Sequence, residues 1–293
     1  MTTAFLIIFS LLIEYIYDPI SNMKDTHVMQ SLIEKYKEYF KEYFNNKYVL
    51  YLFFAVLIFI LINIILLLVD LILHPFFSFL INLIILVYCL RPGEFNRIIN
   101  EVKLLDDVKK SKNFEIKRMN YILADNLYSS ADDKRSIIFY SSTRNIFNVL
   151  FWFLILGPAG ALAYISIDFM VNGSMKIDAQ SKKKLKQVIG IIEFIPIHLT
   201  LLSFALVDDF ETCKKHWQGI SKKKDLYLSN IDLITTIGLN LVIRNDDLNN
   251  NDFFYTNAQM IIFRALLAWL SIIVLLIFGG FFRFSRNCMY WVV

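Results

Sequence analysis

From Tyr48 to Val69 the chain runs through 22 residues, YVLYLFFAVLIFILINIILLLV, in which Asn63 is the only strongly polar side chain. At about 1.5 Å rise per residue this makes a helix of roughly 33 Å, enough to cross the hydrocarbon core of a bilayer. A helix apolar on every side has to be wholly buried or lie in lipid. Two further runs point the same way: FFSFLINLIILVYCL (Phe76 to Leu90) after His74-Pro75, and MIIFRALLAWLSIIVLLIFGGFF (Met260 to Phe282) near the C-terminus. The sequence therefore predicts an all-α, polytopic integral membrane protein, folded as a single membrane domain over 1–293.

Composition agrees where it bears on class. Hydrophobic residues make up 57% and charged residues only 19%, and the net charge is +4. Nucleic-acid binding would need a concentrated basic face with stacking aromatics outside the apolar runs, which the sequence does not offer. Cys89, Cys213 and Cys288 lie far apart without CxxC spacing, and the four histidines show no metal-ligand spacing. Neither a disulfide framework nor a metal site is expected, and no cofactor is implied.

Several elements follow along the chain. Thr2 to Tyr17 reads as a retained apolar helix ending at Asp18-Pro19, because no basic n-region or cleavage site accompanies it. Residues 20–47 read as an amphipathic helix with Leu32, Tyr36, Tyr39 or Phe40, and Tyr43 on one face. The segment 48–90 reads as a transmembrane hairpin turned at His74-Pro75. A polar insertion at 91–143 holds ten Lys/Arg against eight acids and shows helical spacing in NRIINEVKLLDDVKK. Two broken apolar segments come next. The first, 145–171, carries Gly157-Pro158-Ala159-Gly160, and the second, 188–207, carries Glu193, Pro196 and His198. A second polar insertion, 208–259, leads to the C-terminal span 260–282.

Lysine and arginine cluster in 20–47, 91–143, 176–186 and 214–224, which places these segments on the cytoplasmic side. A single crossing by 145–171 would put the lysines of 176–186 outside, so a re-entrant segment bent at Gly157-Pro158 is favoured.

No Walker A, GxSxG, HExxH or GxGxxG pattern occurs. Ionisable residues in apolar surroundings carry the functional signal instead, since intramembrane charge is expensive. Arg144 opens the Gly-Pro segment, Asp168 lies near its end, Glu193 and His198 flank Pro196, and Arg264 sits in the last span. Snorkelling or structural pairing explains such residues equally well. The candidate ligand-binding residues are Arg144, Gly157, Gly160, Glu193 and His198. Arg144 would hold an anion, the amides around Gly157 and Gly160 would donate hydrogen bonds, and Glu193 and His198 would face one pocket across a bend at Pro196.

Arg144 followed by NIFNVLFWFLILG, the stretch GPAGALAY at 157–164, the run EFIPIHL at 193–199 and then Trp217 resemble the AmpE family, inner-membrane proteins associated with regulation of inducible β-lactamase. That family in turn resembles the CobD/CbiB membrane synthases, which attach an aminopropanol arm during cobalamin assembly. The chain departs from the motif of both families at His198, where they have arginine, and from the synthases at Asp168-Phe169-Met170-Val171, where they carry Asn-Thr-Leu-Asp. The resemblance implies a multi-pass protein of the bacterial inner membrane that modulates signalling between cell-wall recycling and β-lactamase induction. It would bind a small anionic or amphipathic ligand, or a cytoplasmic or membrane protein partner. A synthase forming an amide bond on a membrane-associated precursor is the alternative, with acids such as Asp106, Asp107, Asp132 and Asp133 as its candidates.

Overall fold

The computed structural model describes residues 2–17, 27–44, 46–72, 75–90, 131–173, 175, 177–219, 225–243, 251–279, 282–285 and 288–291. Helices dominate: α1 (Thr2–Tyr17), α2 (His27–Phe40), α3 (Lys47–Ile72), α4 (Pro75–Cys89), α5 (Ala131–Ser142), a π-turn (Thr143–Phe147), α6 (Asn148–Asn172), α7 (Ala179–Val207), α8 (Phe210–Gly219), α9 (Leu226–Ile243) and α10 (Asn251–Phe278). Among the described residues, five helical stretches are long and apolar enough to cross a membrane: Lys47–Ile72, Arg135–Asn172, Ala179–Val207, Leu226–Ile243 and Phe253–Leu276.

The chain divides into two compact units, the first formed by Met1–Arg91, Val149–Ile189 and Leu270–Val293, the second by Pro92–Asn148 and Gly190–Trp269. In the first unit α4 packs on both α1 and α3. Only the first turns of α3 are covered, at Leu50, Tyr51, Phe54 and Ala55. Beyond them Ile60, Leu61, Ile64, Ile65, Leu67 and Leu68 stand exposed. Water penalises such a surface in proportion to its area, so lipid is the solvent that suits it.

Helix α2 forms where the amphipathic pattern predicts, but on a different face. Met29, Ile33 and Tyr36 are buried, whereas Leu32, Tyr39 and Tyr43 are exposed. Tyr36 lies against Phe54 of α3, with ring centroids 4.9 Å apart, which fixes that choice.

Helix α6 is interrupted at Gly157, whose φ of 70° and ψ of −164° lie outside the helical region. A straight 38-residue helix over Arg135–Asn172 would run about 57 Å, nearly twice a hydrocarbon core. The break falls where the sequence places it. A side chain at 157 would meet no atom within 4 Å, so the glycine is required by backbone conformation and not by space. Gly157→Ala is expected to cost about 1–3 kcal/mol, read as a lowered melting temperature of the purified protein.

The second unit is packed around α5, the π-turn and α9. Gly238 of α9 admits the ring of Phe139, onto which a Cβ at 238 would fall. Phe204 sits edge-on to both Phe139 and Phe147, at 5.9 Å and 6.4 Å, and Phe147 meets Trp269 at 5.5 Å. A Cβ at Gly190 of α7 would lie 2.6 Å from the backbone nitrogen of Tyr227 in α9. There the Asn230 side-chain amide donates to the Gly190 carbonyl at 2.7 Å.

Four boundaries differ from the sequence-based expectation. Residues 136–143, expected at the end of a polar insertion, are buried. Helix α7 runs through Pro196 and begins at Ala179, ahead of the apolar segment expected at 188–207, so Lys182, Lys183, Lys184 and Lys186 lie within the helix. The expected polar insertion 208–259 contains α9, whose composition suits a membrane. The last span ends at Phe278 and is followed by two antiparallel strands, Phe282–Ser285 and Cys288–Trp291, pairing Phe282 with Trp291 and Arg283 with Tyr290. Aromatic residues favour such a pairing. The proposed helices of NRIINEVKLLDDVKK lie outside the described residues.

Candidate functional site: a buried carboxylate beside a π-turn

The site begins as a polar sentence inside an apolar text: Ser141-Ser142-Thr143-Arg144-Asn145, followed three residues on by Asn148. Serine, threonine and asparagine compete with the backbone for hydrogen bonds, which loosens an α-helical ladder. Both the Ser142 and Thr143 hydroxyls donate to the Phe139 carbonyl, at 2.8 Å and 2.9 Å. The ladder then widens, and the Asn148 amide N–H bonds back five residues to the Thr143 carbonyl. Single π-turns of this kind recur at functional sites.

Widening has a geometric consequence. In an α-helix, residues four apart drift by about 40° around the axis. An i→i+5 turn winds more slowly and brings Tyr140, Arg144 and Asn148 closer to a single line. The outer two of these residues converge on one group. The Asn148 side-chain amide donates to Glu193 Oε1 at 3.0 Å, and the Tyr140 hydroxyl donates to Oε2 at 3.4 Å. Glu193 is fully buried, and Arg144, four residues from each of its two partners, is only 9% exposed. The Asn145 amide donates to the Ser141 hydroxyl at 3.1 Å, while its carbonyl oxygen, also buried, meets no donor among the described residues.

Arg144 and Glu193 thus fall in one unit, together with His198, but His198 takes no part in the cluster. Five residues along an unbroken helix turn the side chain by about 140°. His198 is half-buried, donates from Nδ1 to the Phe194 carbonyl at 2.7 Å, and lies against the rings of Phe194 and Trp217, at 4.2 Å and 5.2 Å. Helix α7 runs on through Pro196, and the two side chains are not brought together. Gly157 and Gly160 belong to the other unit, and both have steric explanations. Gly157 supplies the positive φ, and a Cβ at Gly160 would approach the Trp152 carbonyl within 2.9 Å.

Asp168 is buried in the first unit, where it accepts from the Asn172 amide at 2.9 Å. Arg264 is exposed on α10. No group of three or more His, Cys, Asp or Glu side chains suited to a metal ion occurs among the described residues. Cys213 of α8 is buried, and burial, with the charge of Asp208 second, pushes its thiol up to about 11. The thiolate is the reactive form, so native Cys213 is expected to resist maleimide at neutral pH and to label fully once the protein is denatured in SDS. Rapid native labelling would contradict its burial.

No protein-family model, no curated protein and no solved structure matches the chain. The site therefore rests on its own chemistry.

Tyr140, Asn145 and Asn148 were missed by sequence reasoning. Their signal was present: polar residues at helical spacing around Arg144, continuing into an apolar run where Asn148 has no reason to stand unless a partner awaits it.

Proposed function

We propose that this is a multi-pass membrane protein whose second unit carries a polar binding site centred on Glu193, within helices suited to the bilayer. One observation carries the reading: a carboxylate with no solvent exposure, held by Asn148 and Tyr140 on the same stripe as Arg144. Stability alone does not favour this arrangement, because a buried charge cluster is often replaceable by apolar side chains at no loss. A polar group at membrane depth by default serves a ligand, a proton or a partner. Here Arg144 supplies the positive charge that a small anionic or amphipathic ligand requires, and Glu193 fixes the position of its polar groups.

The wider role we propose is of the AmpE type, in the bacterial inner membrane, modulating signalling between cell-wall recycling and β-lactamase induction. Its support is the resemblance at Arg144, 157–164, 193–199 and Trp217, without a family match behind it. The alternative synthase would draw on Asp106 and Asp107, which lie outside the described residues, and on Asp132 and Asp133, and no observation favours it. The test is β-lactamase activity, with and without a β-lactam inducer, in a host carrying or lacking the gene. A gene-dependent change restored by the wild-type gene supports the role. No change, in a host with inducible β-lactamase, removes the signalling role and leaves the Glu193 site to be tested by binding.

A further inference from the structure

The first unit carries a concentration of lysines that the Glu193 site does not use. Lys47 stands exposed at the start of α3, one residue before that helix becomes continuously apolar. Lys182, Lys183, Lys184 and Lys186 occupy the first turns of α7, before its own apolar run begins at Val188. The two helix starts are tied together, since the Lys184 ammonium lies 3.9 Å from the centre of the Tyr48 ring. Asp178 joins them: it accepts from the Ser181 amide at 3.0 Å, and that bond, with Lys47 further behind, holds its carboxyl below the ordinary range.

The lysines at the start of α7 therefore stand beside the start of the apolar run of α3, with Lys47 and Asp178 next to them. A bilayer around α3 has its headgroup layer at this height, because the apolar run starts at Tyr48. Helix α2, packed beside the first turns of α3, adds exposed Tyr39, and exposed Tyr43 lies in the turn after it. Tyrosine prefers the headgroup level, where its ring is apolar and its hydroxyl wet.

We propose that this end of the first unit, formed by Lys47 and Lys182, Lys183, Lys184 and Lys186 around Tyr48, is a docking surface for the anionic headgroups of a phospholipid leaflet. Its charge is complementary to phosphate esters, and its position at the start of the apolar run of α3 selects a lipid over a soluble anion. Lysines at such a surface each favour an anionic leaflet by about fivefold in partition. The contact weakens as salt shortens the Debye length to about 3 Å near 1 M.

The experiment reconstitutes the full chain in phosphatidylcholine bilayers and measures the association of spin-labelled phosphatidylglycerol relative to spin-labelled phosphatidylcholine. The wild type is expected to prefer phosphatidylglycerol by about tenfold or more at low salt and to lose most of that preference near 1 M salt. Replacing Lys182, Lys183, Lys184 and Lys186 by glutamine abolishes the preference, while arginine at the same four positions retains it. The arginine variant also reports whether the surface folds when all four lysines are changed. Glutamine at Lys214 and Lys215, exposed lysines of α8, leaves the preference intact. Equal association of both lipids with the wild type, or an undiminished preference in the glutamine variant, overturns the proposal. So does inorganic phosphate that removes the preference at equal ionic strength, which would mark a site for free anion.

Discussion

Gly190→Leu is expected to prevent the second unit from folding, and Gly238→Val to do nearly as much. At Gly190 the obstacle is backbone: an added Cβ would stand 2.6 Å from the Tyr227 nitrogen and 2.9 Å from its Cα. No rotamer change relieves that contact, so α7 and α9 must separate, and the Asn230 bond to the Gly190 carbonyl goes with them. At Gly238 the obstacle is the Phe139 ring, itself fully buried and set against Phe204. Overpacking of this kind costs about 1–3 kcal/mol where the core can give, and here neither neighbour has room. Monodispersity and melting temperature in detergent measure both variants. Gly→Ala at the same positions should be intermediate. A Gly190→Leu protein that melts like the wild type would show that α7 and α9 do not pack as described.

The second large effect lies at Glu193. Glu193→Ala removes the acceptor of two buried hydrogen bonds, from Asn148 and from Tyr140. Each such loss costs about 1–3 kcal/mol, so this variant is expected to be unstable and poorly retained in the membrane. Glu193→Gln keeps the shape and an oxygen for the Asn148 amide, while its own amide can donate to the Tyr140 oxygen. That variant should fold close to normally and lack only the charge. The pair separates a structural carboxylate from a functional one: loss in Ala alone speaks for packing, loss in both for chemistry.

Much of the architecture was legible in the residues. The apolar helix over 48–69 announces itself because a 22-residue apolar run has few alternatives, and Gly157-Pro158 predicts the break actually found at Gly157. What the sequence hid has a common physical origin. In α9, LYLSNIDLITTIGLNLVI, an aspartate, two asparagines and two threonines mask an apolar helix. Those groups find partners inside the fold: Asn230 reaches a carbonyl of α7, and Thr235 bonds back within its own helix to Ile231. Pro196 suggested a bend, yet α7 continues through it. The unbroken turn then separates Glu193 from His198, which sequence spacing had joined. Arg144 and Glu193 both lie in the second unit's interior, but the groups that hold the carboxylate, Asn148 and Tyr140, are 45 and 53 residues away in sequence. No local pattern reveals a bond of that range.

The decisive measurement is the gene-dependent change in β-lactamase induction in cells expressing Glu193→Gln at the wild-type membrane level. A folded, membrane-resident Glu193→Gln protein that no longer restores the change is the predicted result, because the charge and not the packing is what the site uses. Full restoration by Glu193→Gln, with the same protein level and melting temperature as the wild type, would contradict a functional role for this carboxylate and reduce the cluster to a structural one.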